Sequence, residues 1–186
     1  MSFDLNLINE YLEKYNEVVR IIILKTSGSA PRNSGTWMIV WENGQDRTIG
    51  GGQLEYEIIK SAKDLLNSSH SQKIKKYSLG PDIGQCCGGS VEVLLEKIDV
   101  EKLGIISKED GFFARPISTS NKSLNLSSIL KKFRNKSIPI EYTFCDGWLI
   151  EPLVKKKKNL WIYGAGHVGT AIANTCLLYT SPSPRD

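Results

Sequence analysis

Histidine and cysteine are scarce in this chain. Of its 186 residues, two are histidine and four are cysteine, and no two cysteines have the spacing CxxC. The sequence therefore excludes a tetrahedral zinc site assembled from local cysteine and histidine ligands. It also excludes a scaffold that depends on disulfides for its stability, and we expect the thiols to be reduced.

Long apolar runs are missing as well. The longest covers residues 37–41, whereas a membrane-spanning helix needs about 18 or more apolar residues. The N-terminus has no basic region followed by an apolar stretch, so we expect no signal peptide, no membrane partner and a cytoplasmic protein. The chain is 40% hydrophobic and 24% charged, which is typical of a folded protein with an apolar core.

Hydrophobic periodicity predicts an α/β chain whose first domain is mixed α+β. Apolar residues at three- and four-residue spacing predict helices over 4–16 and 53–67. Segments rich in β-branched and aromatic residues predict strands over 18–26, 36–41, 73–79, 90–98, 139–144 and 148–154. Asn43 followed by Gly44 predicts a hairpin turn into a strand over 46–49. Segment 99–135 is polar and poorly patterned, so the sequence assigns nothing specific to it.

Four consecutive lysines at 155–158 indicate a domain boundary. Their charge equals the formal net charge of the chain, +4. A basic run this short is typical of a solvated linker, which follows a first domain over 1–154. Nucleic-acid binding is the alternative, but no aromatic residues alternate with the lysines and no recognition motif accompanies them, so we expect no nucleic-acid partner.

The end of the chain divides into two segments with different interpretations, 159–175 and 176–186. Residues 159–175 have the pattern of the first strand, turn and helix of a second, Rossmann-like domain. Residues 176–186 read as the conceptual translation of a transposon-type sequencing adapter, so we leave them out of the fold prediction. A natural terminus rich in serine and proline is the alternative. We expect the second domain to be truncated in this sequence.

Glycine is concentrated in three loops at predicted strand ends. Ten of the 16 glycines lie between Gly28 and Gly89, mostly within 27–32, 50–52 and 84–89. Glycine lets backbone N–H groups turn toward a ligand, and a helix start adds further donors, so such loops can hold a phosphate. Each loop alone is better explained by a tight turn than by a ligand. Three of them within about sixty residues favour one shared anion site.

Cys86 and Cys87 lie inside the third of these loops. In such a loop a cysteine is either a small buried apolar group or an exposed thiol whose pKa is lowered by helix-start amides. A thiolate beside an anion-holding loop would suit a thiophilic metal that carries a phosphorylated ligand. Cys145 has no evident partner and is interpreted as structural.

The sequence GAGHVG at 164–169 fits the dinucleotide fingerprint GxGxxG. It follows a predicted strand and precedes a predicted helix start at Thr170, the context in which Gly164, Gly166 and Gly169 would hold a pyrophosphate. The acidic residue that normally follows about 20 positions later would fall beyond residue 175. His167 is interpreted as a solvent-facing loop side chain.

Taken together, these motifs resemble the XdhC/CoxI family of accessory proteins for molybdenum hydroxylases such as xanthine dehydrogenase. The resemblance is carried by four motifs in a specific order, namely GSAPR at 28–32, TIGGGQLEYE at 48–57, LGP at 79–81 with GQCCGG at 84–89, and GAGHVG at 164–169. It implies an N-terminal XdhC domain and a Rossmann-like domain. It also implies a chaperone, rather than an enzyme, that binds molybdenum cofactor, protects it during sulfuration and inserts it into the hydroxylase.

Within that function we assign roles to residues by their place at predicted strand ends, beside or near glycine, while the partners are those that the resemblance implies. Cys86 or Cys87 would supply the thiolate nearest the molybdenum, with Gln85 in the same loop. The amides of the glycines would bind the pterin phosphate, Arg32 would add a charged contact, and Glu55 would orient its loop; these glycines are Gly50, Gly51, Gly52, Gly88 and Gly89. The implied partners are the hydroxylase, the sulfuration machinery and a second copy of the chain. NAD(P) binding depends on the complete second domain.

A different class of protein remains open. An NAD(P)-dependent oxidoreductase with an N-terminal substrate domain would also carry the fingerprint at 164–169. The N-terminal part offers no evident acid or base for hydride transfer, which disfavours this alternative. A scaffold that only bridges partner proteins is the third hypothesis.

Overall fold

The computed structural model describes residues 2–80, 88–117, 131, 141–154, 162–164 and 166–175. The chain forms two compact units, Met1–Lys155 and Lys156–Asp186. Of the described helices, none is long and apolar enough to cross a membrane. The helices of the first unit are α1 (Leu5–Tyr15), α2 (Gly52–Leu66) and α3 (Val100–Ser107). Its strands are β1 (Phe3–Asp4), β2 (Glu17–Ser27), β3 (Trp37–Trp41), β4 (Gly44–Asp46), β5 (Gln72–Ser78), β6 (Ser90–Asp99), β7 (Phe112–Pro116), β8 (Thr143–Cys145) and β9 (Trp148–Val154).

The strands form two sheets, and the predicted mixed α+β class is confirmed. The central sheet has five antiparallel strands in the order β4-β3-β2-β6-β5. In the smaller sheet, β9 pairs with β7 along one edge and with β8 and β1 along the other, β1 being parallel to it. The first strand of the chain therefore pairs with the last strand of the first unit.

Strand β2 is buried on both faces, which explains its nearly continuous apolar sequence. Val19, Ile21 and Ile23 face the core cluster that contains α2. Val18 and Ile22 face the opposite cluster, which contains α1, α3 and the smaller sheet. The central sheet is thus covered by α2 on one face and by the other elements on its second face, as the period of two along a strand requires.

One predicted strand lies elsewhere, and one segment that the sequence left unassigned contains elements. The strand expected over 46–49 instead occupies Gly44–Asp46, because Arg47 has a φ of 66°, which ends the extended conformation. Segment 99–135, to which the sequence assigned nothing specific, contains α3 and β7. Asp99 caps α3 by accepting a hydrogen bond from the backbone N–H of Lys102 at 2.7 Å, but the helix has only eight residues and too short an apolar pattern to be recognised.

Candidate functional site

The first and third glycine-rich loops touch each other at one end of the central sheet. They follow β2 and precede β6, two antiparallel neighbours, and a β-bridge joins Ser29 to Gly88. A Cβ atom on Gly89 would lie 2.1 Å from the carbonyl oxygen of Ser29 and 2.7 Å from that of Ser27. Only glycine permits this close approach of two backbones.

The second loop reaches the same place through Pro31. A Cβ atom on Gly50, whose φ is 134°, would lie 2.7 Å from the Cβ and Cγ atoms of Pro31. Arg32 follows directly and is exposed. The described parts of all three loops therefore meet at one end of the sheet, beside the first turn of α2.

Glu55, in that first turn, organises the second loop. Its Oε2 atom accepts hydrogen bonds from the backbone N–H groups of Ile49 and Gly51, each at 3.0 Å, and from the hydroxyl of Thr48 at 2.6 Å. The Gln45 side chain donates to Oε1 at 3.3 Å. The carboxylate is buried and fully engaged, so this geometry gives Glu55 an orienting role.

The same contacts use several of the amides that the sequence offered as phosphate donors. The N–H of Gly51 donates to Glu55, that of Gly50 to the Thr48 hydroxyl at 3.1 Å, and that of Gly88 to the carbonyl of Leu79 at 2.9 Å. These three amides therefore already have acceptors within the protein. Gly52 differs from these glycines because it is the first residue of α2. Its N–H belongs to a helix terminus whose N-cap residue provides no side-chain hydrogen bond.

The cysteines that sequence reasoning placed at the site, Cys86 and Cys87, lie outside the described residues, as does Gln85. Cys145 is half-buried in β8, where burial and then the charge of Asp146 raise the pKa of its thiol, so at neutral pH the thiol form is favoured. Within the described ranges no three His, Cys, Asp or Glu side chains are grouped to hold a metal ion.

The sequence model of the XdhC and CoxI family matches residues 12–78. The resemblance to this family is confirmed. We call the matched residues 12–78 the XdhC/CoxI segment. It runs from the end of α1 to the end of β5 and contains the first two loops and Glu55. No curated protein matches the chain.

A likeness among solved structures extends beyond the XdhC/CoxI segment. The crystal structure of a protein described as a xanthine dehydrogenase, from Bacillus halodurans, is 24% identical and superimposes with a TM-score of 0.54. The match covers 64% of this chain and 40% of that one, so the present chain spans less than half the length of its structural neighbour. At this identity the likeness concerns the fold.

Next to the XdhC/CoxI segment lies a buried ionic cluster that sequence reasoning missed. Arg20 on β2, Glu96 on β6, Arg115 on β7 and Glu151 on β9 are each at least nine-tenths buried. Arg115 donates from Nε and Nη2 to Glu96 at 2.8 and 2.7 Å, and also from Nη2 to Glu151 at 2.8 Å. Arg20 donates to both oxygens of Glu151. The sequence did contain one signal of a buried charge, the single arginine inside the apolar run VVRIIIL.

The cluster keeps its carboxylates ionised. Burial alone would raise the pKa of Glu96, but the charges of Arg115 and Lys102 outweigh it and hold the pKa at about 2. The pKa of Glu151 is lowered in the same way by Arg20 and Arg115. Aromatic rings cover the cations, with the Arg20 Cζ atom 4.6 Å from the ring centre of Phe3. The cluster therefore joins the two sheets.

In the second unit the predicted fingerprint, of which residue 165 lies outside the described residues, leads into α4 (His167–Thr175). The helix begins at His167 rather than at Thr170, and 162–164 are not in a strand. Gly164 has a φ of 100°, and a Cβ atom on Gly169 would lie 2.6 Å from the Gly164 carbonyl oxygen. A positive φ and a close approach of this kind are also what glycines provide in dinucleotide-binding turns. His167 is exposed, as the sequence suggested.

Proposed function

We propose that this protein is an accessory chaperone, not an enzyme, for a xanthine dehydrogenase-type molybdenum hydroxylase. In this proposal it binds molybdenum cofactor as cargo, protects it while the sulfuration machinery acts, and inserts it into the hydroxylase in the cytoplasm. The observation that carries the proposal is the meeting of three glycine-rich loops at one end of the sheet, two of them inside the XdhC/CoxI segment. The description of the Bacillus halodurans protein as a xanthine dehydrogenase supports the same association.

The loops have room for a phosphorylated ligand. Gly51 and Gly88 have positive φ values of 76° and 63°, and a Cβ atom on either would meet no atom of the described residues within 4 Å. The described part of the chain therefore leaves the space beside them open. The uncapped start of α2 at Gly52 supplies N–H donors, and the exposed Arg32 supplies a positive charge nearby.

The last part of the proposal is a thiolate role for the two adjacent cysteines. Cys86 and Cys87 directly precede Gly88 in the sequence, so either thiol would be within one or two residues of the open loop surface. A soft thiolate suits molybdenum, while the backbone donors suit the pterin phosphate. Gln85 and Gly89 flank this pair and would contribute a polar side chain and a close backbone approach.

Cofactor retention tests the proposal. The full chain would be produced in cells that make molybdenum cofactor, and the retained pterin measured as its fluorescent oxidation product. We expect the double variant Cys86→Ser, Cys87→Ser to lose most of the bound pterin, while the matched control Cys145→Ser retains it. Normal retention by the double variant would remove the thiolate from the proposal. An inability of the unmutated chain both to retain pterin and to activate a cofactor-free hydroxylase would remove the proposal itself.

A second candidate is an NAD(P)-dependent oxidoreductase, and the turn at Gly164 and Gly169 favours it. This function requires nucleotide turnover without any molybdenum enzyme. Oxidation of NAD(P)H by the purified chain, abolished by Gly164→Val, would support the oxidoreductase. Absence of turnover together with pterin retention would exclude it. A homodimer, which either function allows, would appear in the mass measured by light scattering.

A further inference from the structure

A cleft of about 450 Å³ lies at the end of the central sheet opposite the three loops. It is bordered by the end of α1, the turn between β3 and β4, and the end of α2. The loops, by contrast, adjoin the end of β2 and the start of α2. The volume falls within the range of about 300–1,000 Å³ that small-molecule sites occupy, so the cleft is large enough for a ligand.

One wall of the cleft is a stack of aromatic rings. The ring centres of Tyr15 and Trp41 are 4.7 Å apart at an interplanar angle of 11°, and Tyr11 stacks on the same indole at 5.1 Å. A Cβ atom on Gly44 would lie 2.6 Å from the indole, so the glycine lets the ring lie over the turn. Tyr15 remains 40% exposed. The stack is therefore held in place with one ring available to a planar ligand.

Three asparagines supply the polar edge of the cleft. Asn16 follows α1 with a φ of 61°, Asn43 lies in the β3–β4 turn, and Asn67 follows α2, where its amide nitrogen donates to the Lys63 carbonyl at 3.1 Å. Within the described ranges, no protein hydrogen bond engages the side-chain amides of Asn16 and Asn43. An amide offers a donor and an acceptor side by side, which matches the edge of a purine.

The charges in the cleft favour an anionic group. Lys14 and Lys63 border it from the last turns of α1 and α2. Glu17 also borders it, but forms an ion pair with Lys97, whose Nζ atom is 3.4 Å from Oε1. Glu42 is the remaining acid and lies in the exposed turn. Because Lys97 pairs with Glu17, Lys14 and Lys63 outnumber Glu42 by one positive charge, which suits a phosphate.

The geometry points to a mononucleotide site in this cleft. A purine base would stack on Tyr15, the asparagine amides would hydrogen-bond its edge, and Lys14 and Lys63 would contact the phosphate. This inference does not depend on the proposed cofactor function, because the cleft and the three loops lie at opposite ends of the sheet. It also differs from dinucleotide binding at Gly164, which belongs to the second unit.

Calorimetric titration of the full chain with AMP, adenosine and ribose 5-phosphate tests this site. We expect AMP to bind at least tenfold more tightly than either fragment, because only AMP carries both base and phosphate. Lys63→Glu should weaken AMP binding at least tenfold and leave adenosine within twofold, whereas Tyr15→Ala should weaken both. The matched controls are Lys60→Glu and Tyr56→Ala, exposed residues of α2 that do not border the cleft.

Several results would overturn the inference. One is the absence of binding by both AMP and GMP. GMP is included because the structure does not fix which purine base is bound. Another is an equal loss with Lys60→Glu and Lys63→Glu, which would indicate a diffuse charge effect. A third is a loss with Gly164→Val while Lys63→Glu binds normally, which would assign the nucleotide to the second unit. Because Lys63 is exposed, its variant tests the cleft even if Tyr15→Ala unfolds the protein.

Discussion

Arg20 and Glu151 form a two-pronged hydrogen bond across 131 residues of sequence. The Nη1 and Nη2 atoms of Arg20 lie 2.9 and 2.5 Å from the two carboxylate oxygens of Glu151. Arg20 belongs to the middle strand of the central sheet and Glu151 to the middle strand of the smaller one. The pair therefore fixes how the XdhC/CoxI segment sits on the sheet formed by the end of the first unit.

Removing Glu151 should destabilise the protein strongly. Glu151→Met leaves Arg20 buried without the carboxylate that neutralises it, and losses of this kind cost about 3–5 kcal/mol. Urea unfolding followed by circular dichroism would measure the free energy of unfolding. As a control, Glu17→Gln removes the partly exposed pair with Lys97 and should cost at most about 1 kcal/mol.

The double variant Arg20→Met, Glu151→Met should be more stable than Glu151→Met alone. It removes both charges and leaves Arg115 paired with Glu96. A double variant no more stable than the single one would mean that the cost comes from lost packing rather than from an unpaired charge.

The cluster should also make stability depend on acid pH. The pKa of Glu96 is about 2 in the folded protein and 4.5 as an ordinary carboxyl group. A lowered folded pKa gives stability that is present above 4.5 and lost as the pH falls toward 2, with a slope of up to about 1.4 kcal/mol per pH unit for each carboxylate. Unfolding free energies between pH 6 and pH 2.5 would measure this slope.

Glu96→Gln provides the comparison for that slope. It removes one of the titrating groups, so the free energy of unfolding should vary less steeply below pH 4.5, even though the variant is less stable at neutral pH. An unchanged slope would assign the acid sensitivity to other carboxyl groups, such as Glu151, whose pKa is lowered by the same arginines.

Much of the fold follows from the sequence because burial leaves a periodic pattern. The run VVRIIIL predicts a strand buried on both faces, and the apolar residues of 53–67 predict the helix that covers one of them. Arg47 ends β4 through a backbone angle that no pattern records. Helix α3 buries only Leu103 and Ile106, too few apolar residues to show a period.

The glycine content of the sequence predicted that the three loops share a site, but not which acceptors their N–H groups use. Glycine content indicated which loops meet, because close approach requires the missing side chain at Gly89. It could not indicate where each N–H points, and Gly51 donates to Glu55 inside the loop. The ionic cluster was missed for a related reason, since the partner of Arg20 is set by tertiary packing between two sheets.

Loss of the Glu55 carboxylate should loosen the second loop. Glu55→Ala leaves the N–H groups of Ile49 and Gly51 without their acceptor, and hydrogen bonds to a charged group contribute about 1.5–3 kcal/mol each. We expect lower stability and faster amide exchange at Ile49 and Gly51. Glu57→Ala, one turn away from the loop, is the control and should leave both amides protected. Unchanged exchange in the Glu55 variant would contradict the orienting role.

Alanine at different glycines should have opposite effects on stability. Gly89→Ala places a methyl group 2.1 Å from the Ser29 carbonyl oxygen, so the two loops must separate and the free energy of unfolding should fall by about 2 kcal/mol or more. Gly88→Ala meets no atom of the described residues but adopts a φ of 63°, which costs about 1–2 kcal/mol. Gly104→Ala, exposed within α3 and free of both problems, should stabilise by about 0.5–1 kcal/mol. Thermal unfolding of the three variants would establish this order, and a stable Gly89→Ala protein would show that the first and third loops do not meet as closely as described.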